Sequence, residues 1–248
     1  MAARNKARKA SAPKKAGRTR KRAVEPVTVI VPVRDEADNL DEFLPLVRPY
    51  ADELLVVDGH STDGSREIAS KHADRVVLDG GRGKGDALRC GVNIARHDII
   101  VFIDADFSHD PEEIPLLTAP IRAGDAMHVQ GSRMLGGSDE LFHDFPNYVR
   151  LFGSVIITMG INFRFKVRIT DSQNGFRAIR KKFFLELDTQ EESTTIEQEM
   201  IIKTFALGHQ VIEVPAHESA RRGGQSKIHV RRVWPRYVYS WLKYLTLS

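Results

Sequence analysis

One cysteine, Cys90, in 248 residues excludes an intramolecular disulfide and fits a reducing compartment. Long apolar runs are missing as well. The best candidate, LFGSVIITMGINF at 151–163, falls short of the roughly 20 residues of a bilayer-spanning helix and contains two glycines. No apolar segment follows the basic start, so no secretory signal is expected. Acids are absent from residues 1–22, which hold ten Lys and Arg; the other 226 residues carry 27 bases against 33 acids. The formal charge of +4 therefore hides an acidic body behind a basic tail. Residues 1–25 are expected to be disordered and to offer a contact to anionic lipid. The acidic body argues against a nucleic-acid-binding module, and no specific nucleic acid partner is expected.

What is present is enough apolar residue, 42%, for one sizeable core and one domain. After Pro26 the chain alternates strand and helix signals. VTVIVPV, ELLVVDG, RVVLD, DIIVFID and MHVQGSR read as strands, separated by helices in NLDEFLPLVRPY, STDGSREIASKHA, GDALRCGVNIARH and PEEIPLLTAPIRA. Continuous apolar strands between helices predict an α/β fold, a mostly parallel sheet covered on both faces. Ligands in such sheets bind at the carboxyl ends of the strands. Those ends carry Pro32 to Glu36, Asp58, the glycine loop 80–85, Asp104 with Asp106, and Arg133.

The glycine loop GGRGKGDA fits neither the dinucleotide fingerprint nor the P-loop, because its spacing is wrong and Lys84 is followed by Gly85. Its glycines would still let the backbone approach a phosphate or ribose, with Lys84 alongside; a plain turn into a helix is the other reading. Asp104 and Asp106 close the run DIIVFI, and like charges that near raise each other's ionisation cost unless something positive lies between them. A divalent cation is one answer; a solvated turn is another, with Asp110 capping a helix that Pro111 opens. His60, His109, His143, His209 and His217 lack metal-ligand spacing and read as surface or packing residues. Met127, Met134 and Met159 read as core, and Glu197 and Glu199 as the charged face of a helix running to Leu207.

VTVIVPVRDEADNL, LLVVDGHSTDGS, GKGDALRCGV, DIIVFIDADFSHDPEEIP, GSRMLGG, DSQNGFRAIRKKFF and HQVIEVPAHESARRGGQSKI occur in one order over residues 26–230. In this the chain resembles family 2 glycosyltransferases of GT-A fold, and within them the dolichol- and polyprenyl-phosphate mannosyl- and glucosyltransferases. The resemblance implies a single Rossmann-like GT-A domain at 26–230 that transfers a hexose with inversion from a nucleotide sugar to a polyprenyl phosphate. GDP-mannose is favoured over UDP-glucose as donor, with Mg²⁺ or Mn²⁺ as the metal. It places Pro32, Val33, Arg34, Glu36, Val56 and Asp58 around the nucleotide. Lys84, Asp104, Ala105 and Asp106 fall at the diphosphate, Asp104, Asp106 and Ser108 at the metal, and Arg133 near the donor phosphates. Arg150 and Ser154 face the acceptor phosphate, and Arg221 and Lys227 lie in a mobile basic loop that closes over the diphosphate. Two departures stand out: Ser108 occupies a position that is often glutamine, and Gly59 replaces a second acid beside Asp58.

A phosphate monoester is already ionised near neutral pH, with a second pKa of about 6, so a lipid phosphate needs cations rather than a general base. Arg150, Arg221 and Lys227 suit that task. Residues 231–248 mix Trp, Tyr and Leu with Arg and Lys, as expected of an amphipathic helix near a membrane. The expected location is cytoplasmic, peripheral to the membrane face. A soluble or saccharide acceptor is the sibling reading. A sugar nucleotidyltransferase ranks lower, because PVRDEADNL stands where that class carries a G-x-G-x-R loop.

Overall fold

The structure, a computed structural model, describes residues 24–140, 145–222 and 230–247. The apolar runs form β1 (Val27–Val33), β2 (Glu53–Asp58), β3 (Arg75–Leu78), β4 (Ile99–Phe102) and β5 (His128–Ser132). Between them lie α1 (Ala37–Val47), α2 (Ser65–His72), α3 (Lys84–Ile94) and α4 (Ile114–Ala123). The later chain adds α5 (Arg133–Gly136), α6 (Phe145–Phe165), β6 (Arg177–Arg180), α7 (Lys181–Glu186), α8 (Ile196–Ala206), β7 (Val211–Pro215) and α9 (Val230–Leu247).

These strands make one sheet in the order β3-β2-β1-β4-β6-β5-β7. The expected α/β domain with a mostly parallel sheet is therefore observed, except that β6 runs antiparallel to both its neighbours, β4 and β5. Alternation along the strands feeds the two faces. Val27, Val29, Val31 and Val33 pack with Leu40, Phe43 and Leu44 of α1 and Leu117 and Ile121 of α4. Ile30 joins Leu88 and Val92 of α3, Phe183 and Phe184 of α7, and Met200 of α8 on the other face. A further cluster ties α6, α8 and α9 together through Ile157, Ile161, Ile201, Ile202 and Tyr244.

Asp110 does cap the turn at Pro111, its Oδ1 accepting from the Glu112 N–H at 2.9 Å. Three methionine expectations fail: Met127, Met134 and Met159 are exposed. Glu197 and Glu199 also differ from expectation, since both are buried rather than on a solvated face. Glu199 accepts from the backbone N–H groups of Gln190 and Glu191 and pairs with Lys203. The basic tail to residue 23 and Lys227 lie outside the described residues. Among the described residues no helix is long and apolar enough to cross a membrane.

Candidate active site

Strands that share one direction end at one edge of the sheet, and β6, running the other way, begins there. A cavity of about 1020 Å³ opens along that edge. Pro32, Val33, Arg34, Asp35 and Glu36 line it after β1, Gly59 after β2, Asp79 and Gly81 after β3, and Asp104, Ala105 and Asp106 after β4. Gln173, Asn174 and Gly175 join them before β6, Arg133 after β5 and Glu218 after β7. Ser154, Ile156 and Ile157 of α6, with Tyr237, Val238 and Trp241 of α9, wall the far end.

Each of the paired carboxylates meets a cation. Lys84, at the start of α3, places its Nζ 2.7 Å from Asp104 Oδ2 and 2.8 Å from Glu197 Oε1. Burial works against the Lys84 ammonium, but Asp104 and Glu197 outweigh it and hold Lys84 well above its ordinary pKa. Burial likewise opposes ionisation of Asp104, and Lys84, His109 and Arg221 outweigh it to hold the carboxyl below its usual range. Only glycine fits beside this bridge. A Cβ on Gly175 would lie 2.7 Å from Lys84 Nζ, 2.9 Å from Glu197 Oε1 and 3.0 Å from Asp104 Oδ2.

Asp106 is held from two sides: its Oδ1 accepts from Ser108 N–H at 3.0 Å, and its Oδ2 lies 3.2 Å from Arg221 Nε. Arg221 also lies 3.5 Å from Glu140, and its neighbour Arg222 donates its N–H to the Asp106 carbonyl at 3.2 Å. Arg221 thus sits over the carboxylate pair, at the start of the basic segment the sequence singled out.

Two carboxylates facing a cavity, one residue apart at a strand end, suit a hard divalent ion. Mg²⁺ commonly takes one or two protein carboxylates and completes its shell with substrate phosphates and water. Asp104 and Asp106 fit that pattern. Among the described residues no cluster of three or more His, Cys, Asp or Glu side chains could hold a metal by itself, so substrate oxygens would have to complete the shell. Ser108 lines the cavity and orients Asp106 through its backbone N–H.

Arg133 lines the cavity, yet its guanidinium is committed elsewhere. Nε and Nη2 donate to Asp171 at 2.6 and 3.0 Å, and Nη1 donates to Glu218 at 3.2 Å. It is a buried brace between the β5 end and the segments before β6 and after β7, rather than a hand held out to phosphate. Arg177, fully buried, does the same one layer below: Nε donates to the Asn174 carbonyl at 3.0 Å and Nη1 to the Glu197 carbonyl at 3.0 Å. Burial pushes its pKa down to about 10.

Of the expected nucleotide contacts, Pro32, Val33, Arg34 and Glu36 line the cavity, but Val56 and Asp58 do not. Val56 is buried in the sheet. Asp58 is fully covered: Arg66, the second residue of α2, donates to it from Nε and Nη2 at 3.2 and 3.0 Å, and Ser61 N–H donates at 3.2 Å. Asp79, at the end of β3, takes its place on the lining, with Oδ1 accepting from Gly81 N–H at 2.7 Å. The glycine loop packs mainly on protein: Gly85 N–H donates to the Glu192 carbonyl at 2.9 Å, and a Cβ there would lie 2.0 Å from the Glu191 oxygen. Ser154 lines the cavity; Arg150 lies one turn earlier on α6, its side chain outside the described set. Gln173, Asn174 and Glu218 went unassigned in the sequence, although DSQNGF stood out as a segment, and Glu197 was read as part of a charged helix face.

The family model for glycosyl transferase family 2 matches residues 28–188. An uncharacterized glycosyltransferase of Mycobacterium bovis is 29% identical over 206 residues, 83% of this chain and 91% of its own. The dolichol-phosphate mannosyltransferase of Pyrococcus furiosus is 29% identical over 230 residues, 88% of this chain and 64% of its own. Among solved structures, glucosyl-3-phosphoglycerate synthase of Mycobacterium tuberculosis, in complex with Mg²⁺ and UDP, superposes with a TM-score of 0.73 at 20% identity, covering 90% of this chain and 80% of that one. That likeness speaks for the fold. With the family match spanning more than half its length, this chain belongs to glycosyl transferase family 2.

Proposed function

We propose that this protein moves a hexose, with inversion, from a nucleotide sugar to a polyprenyl phosphate. The observation that carries the acceptor class is the change of character along the cavity. Carboxylates and cations at the strand ends give way to Ile156, Ile157, Val238 and Trp241 between α6 and α9. The outside of α6 stays apolar: Phe152 is 69% exposed, Met159 64% and Phe163 88%. With Ile156 they form one helical stripe, and an exposed apolar stripe of this length marks a contact with lipid or protein. A prenyl chain leaving the cavity between α6 and α9 would meet it. Similarity to a dolichol-phosphate mannosyltransferase supports the same acceptor class and makes GDP-mannose the first donor to test, ahead of UDP-glucose.

In this reading Asp104 and Asp106 would hold Mg²⁺ or Mn²⁺, which would supply charge neutralisation to the diphosphate leaving group. An acceptor phosphate oxygen attacks the anomeric carbon from the face opposite the diphosphate. The new C–O bond forms as the old one breaks, and the electron pair leaves with the nucleoside diphosphate. No base is required, because the nucleophile is already ionised. Glu197 is consistent with this, since its Oε1 is committed to Lys84. Arg221, with Arg150 and Lys227, is assigned to the acceptor phosphate. Attachment at the cytoplasmic face of a membrane, with the basic residues 1–22 against anionic lipid, belongs to the same proposal.

The test compares a polyprenyl phosphate with the corresponding free alcohol and reads the anomeric configuration of the product by NMR. Transfer to the phosphate alone, with inversion, is expected. If the alcohol were the better acceptor, the phosphate would not be the nucleophile and a base would have to be sought, starting from Glu197.

A further inference from the structure

We infer that Gln173 and Asn174 read the hydroxyl groups of the donor hexose, an assignment that rests on the nucleotide-sugar reading above. The strand order fixes the direction of the donor. With its diphosphate at Asp104 and Asp106 after β4, and its base over the ends of β1, β2 and β3, the sugar is carried toward the other half of the edge. The next strand there is β6, and the segment before it is Gln173–Gly175. Gly175 abuts Asp104 itself, since a Cβ at that position would lie 3.0 Å from Asp104 Oδ2.

Two polar atoms on this wall are buried and lack a hydrogen-bond partner: Gln173 Oε1 and Asn174 Nδ2. Buried polar groups are rarely left unpaired, and those that line a cavity are the groups a ligand satisfies. Their orientation is set by what the other end of each amide does. Asn174 Oδ1 accepts from Phe176 N–H at 3.0 Å, which leaves Nδ2 as the unmet donor. Gln173 Nε2 donates to Ser172 Oγ at 2.9 Å, which leaves Oε1 as an acceptor. One unmet acceptor beside one unmet donor matches a sugar, because a hydroxyl can both give and take a hydrogen bond. A phosphate oxygen at neutral pH could satisfy the donor alone. Asn174 is 2% exposed and its carbonyl is gripped by Arg177, so the pair is set in place before any ligand arrives.

Isothermal titration separates this subsite from the rest of the donor site. Wild type, Asn174→Ser and Gln173→Leu are each titrated, in Mn²⁺, with GDP and GDP-mannose and with UDP and UDP-glucose. Each variant should lose about tenfold in affinity for the sugar nucleotide that wild type binds, as expected for one hydrogen bond to a hydroxyl. Affinity for the matching nucleoside diphosphate should stay at the wild-type value, which also reports that the variant is folded. Equal affinities of wild type and both variants for the sugar nucleotide would overturn the assignment and leave the transferase reading standing. An equal loss for nucleotide and sugar nucleotide would also overturn it, since the effect would then be on the whole site. A wild-type protein that binds no sugar nucleotide would overturn both.

Discussion

Lys84 Nζ lies 2.7 Å from Asp104 Oδ2, and the same ammonium reaches Glu197, 113 residues further along the chain. One cation thus joins the glycine loop, the carboxylate pair and the start of α8. Replacing it, Lys84→Met, leaves the buried Glu197 and the cavity-lining Asp104 without their shared cation. The expected loss is about 3 kcal/mol in urea denaturation at pH 7. The pH dependence has a definite sign. In wild type the Asp104 carboxyl is held below its usual range, so its contribution is present above that range and lost on acidification. Without Lys84 burial dominates and protonation relieves the site, so the deficit of the variant should shrink from pH 7 to 4. A constant or growing deficit would contradict the bridge.

Gly175→Ala tests the same bridge without removing a charge. The new methyl would fall within 3.0 Å of Lys84 Nζ, Glu197 Oε1 and Asp104 Oδ2. We expect a loss of about 1–3 kcal/mol in stability, as for other overpacked sites, together with weaker Mn²⁺-dependent nucleotide binding. Wild-type nucleotide affinity in this variant would show that the bridge does not shape the donor site.

Arg221 lies 3.2 Å from Asp106 Oδ2, so if the proposed metal and acceptor roles hold, Arg221→Ala should move two quantities in opposite directions. Mn²⁺ affinity without donor should rise about fivefold, the effect of removing one nearby positive charge in a partly screened site. Sugar transfer should fall by about 100-fold, because a charge-assisted contact in a closed site is lost. Electron paramagnetic resonance of free Mn²⁺ follows the first and product formation the second. Unchanged or weaker metal binding would show that Arg221 does not guard the carboxylates.

His128 is fully buried, with Nδ1 3.0 Å from Thr204 Oγ1, and burial followed by the nearby Arg177 keeps its pKa well below the ordinary histidine value. The unfolded chain therefore binds the proton more readily than the folded one. Stability from this site is complete above the ordinary histidine pKa of about 6.5 and falls as pH drops below it, by up to about 1.4 kcal/mol per pH unit. His109, buried against Phe176 and also lowered by burial, adds to the slope. Thermal unfolding between pH 8 and 5 should show this decline, with a shallower slope in His128→Gln. Identical slopes would place the proton uptake elsewhere.

β1, β2 and β4 were legible because a strand buried on both faces writes itself as a nearly unbroken apolar run. β6 was not: its four residues begin and end with arginine, and Arg177 is completely buried. Nothing local marks that arginine as internal, since its partners are backbone carbonyls at Asn174 and Glu197 that only the tertiary fold supplies. Glu197 was hidden for the same reason, its partner Lys84 being 113 positions away. Asp58 failed in the opposite sense. A carboxylate at a strand end is a sound candidate, and here Arg66 of α2 and the Ser61 N–H occupy its oxygens. The pair at Asp104 and Asp106 was visible because its signal is local, two acids directly behind a buried strand.

The central claim is transfer of a hexose to a lipid phosphate, and one assay addresses it most directly. Donor labelled in the hexose is incubated with the protein, Mn²⁺ and either a polyprenyl phosphate in detergent or 3-phosphoglycerate, and label is measured in the organic and aqueous products. Mn²⁺-dependent label is expected in the organic phase with the lipid, and none in a new aqueous product with 3-phosphoglycerate. Label transferred to 3-phosphoglycerate, with the lipid inert, would contradict it.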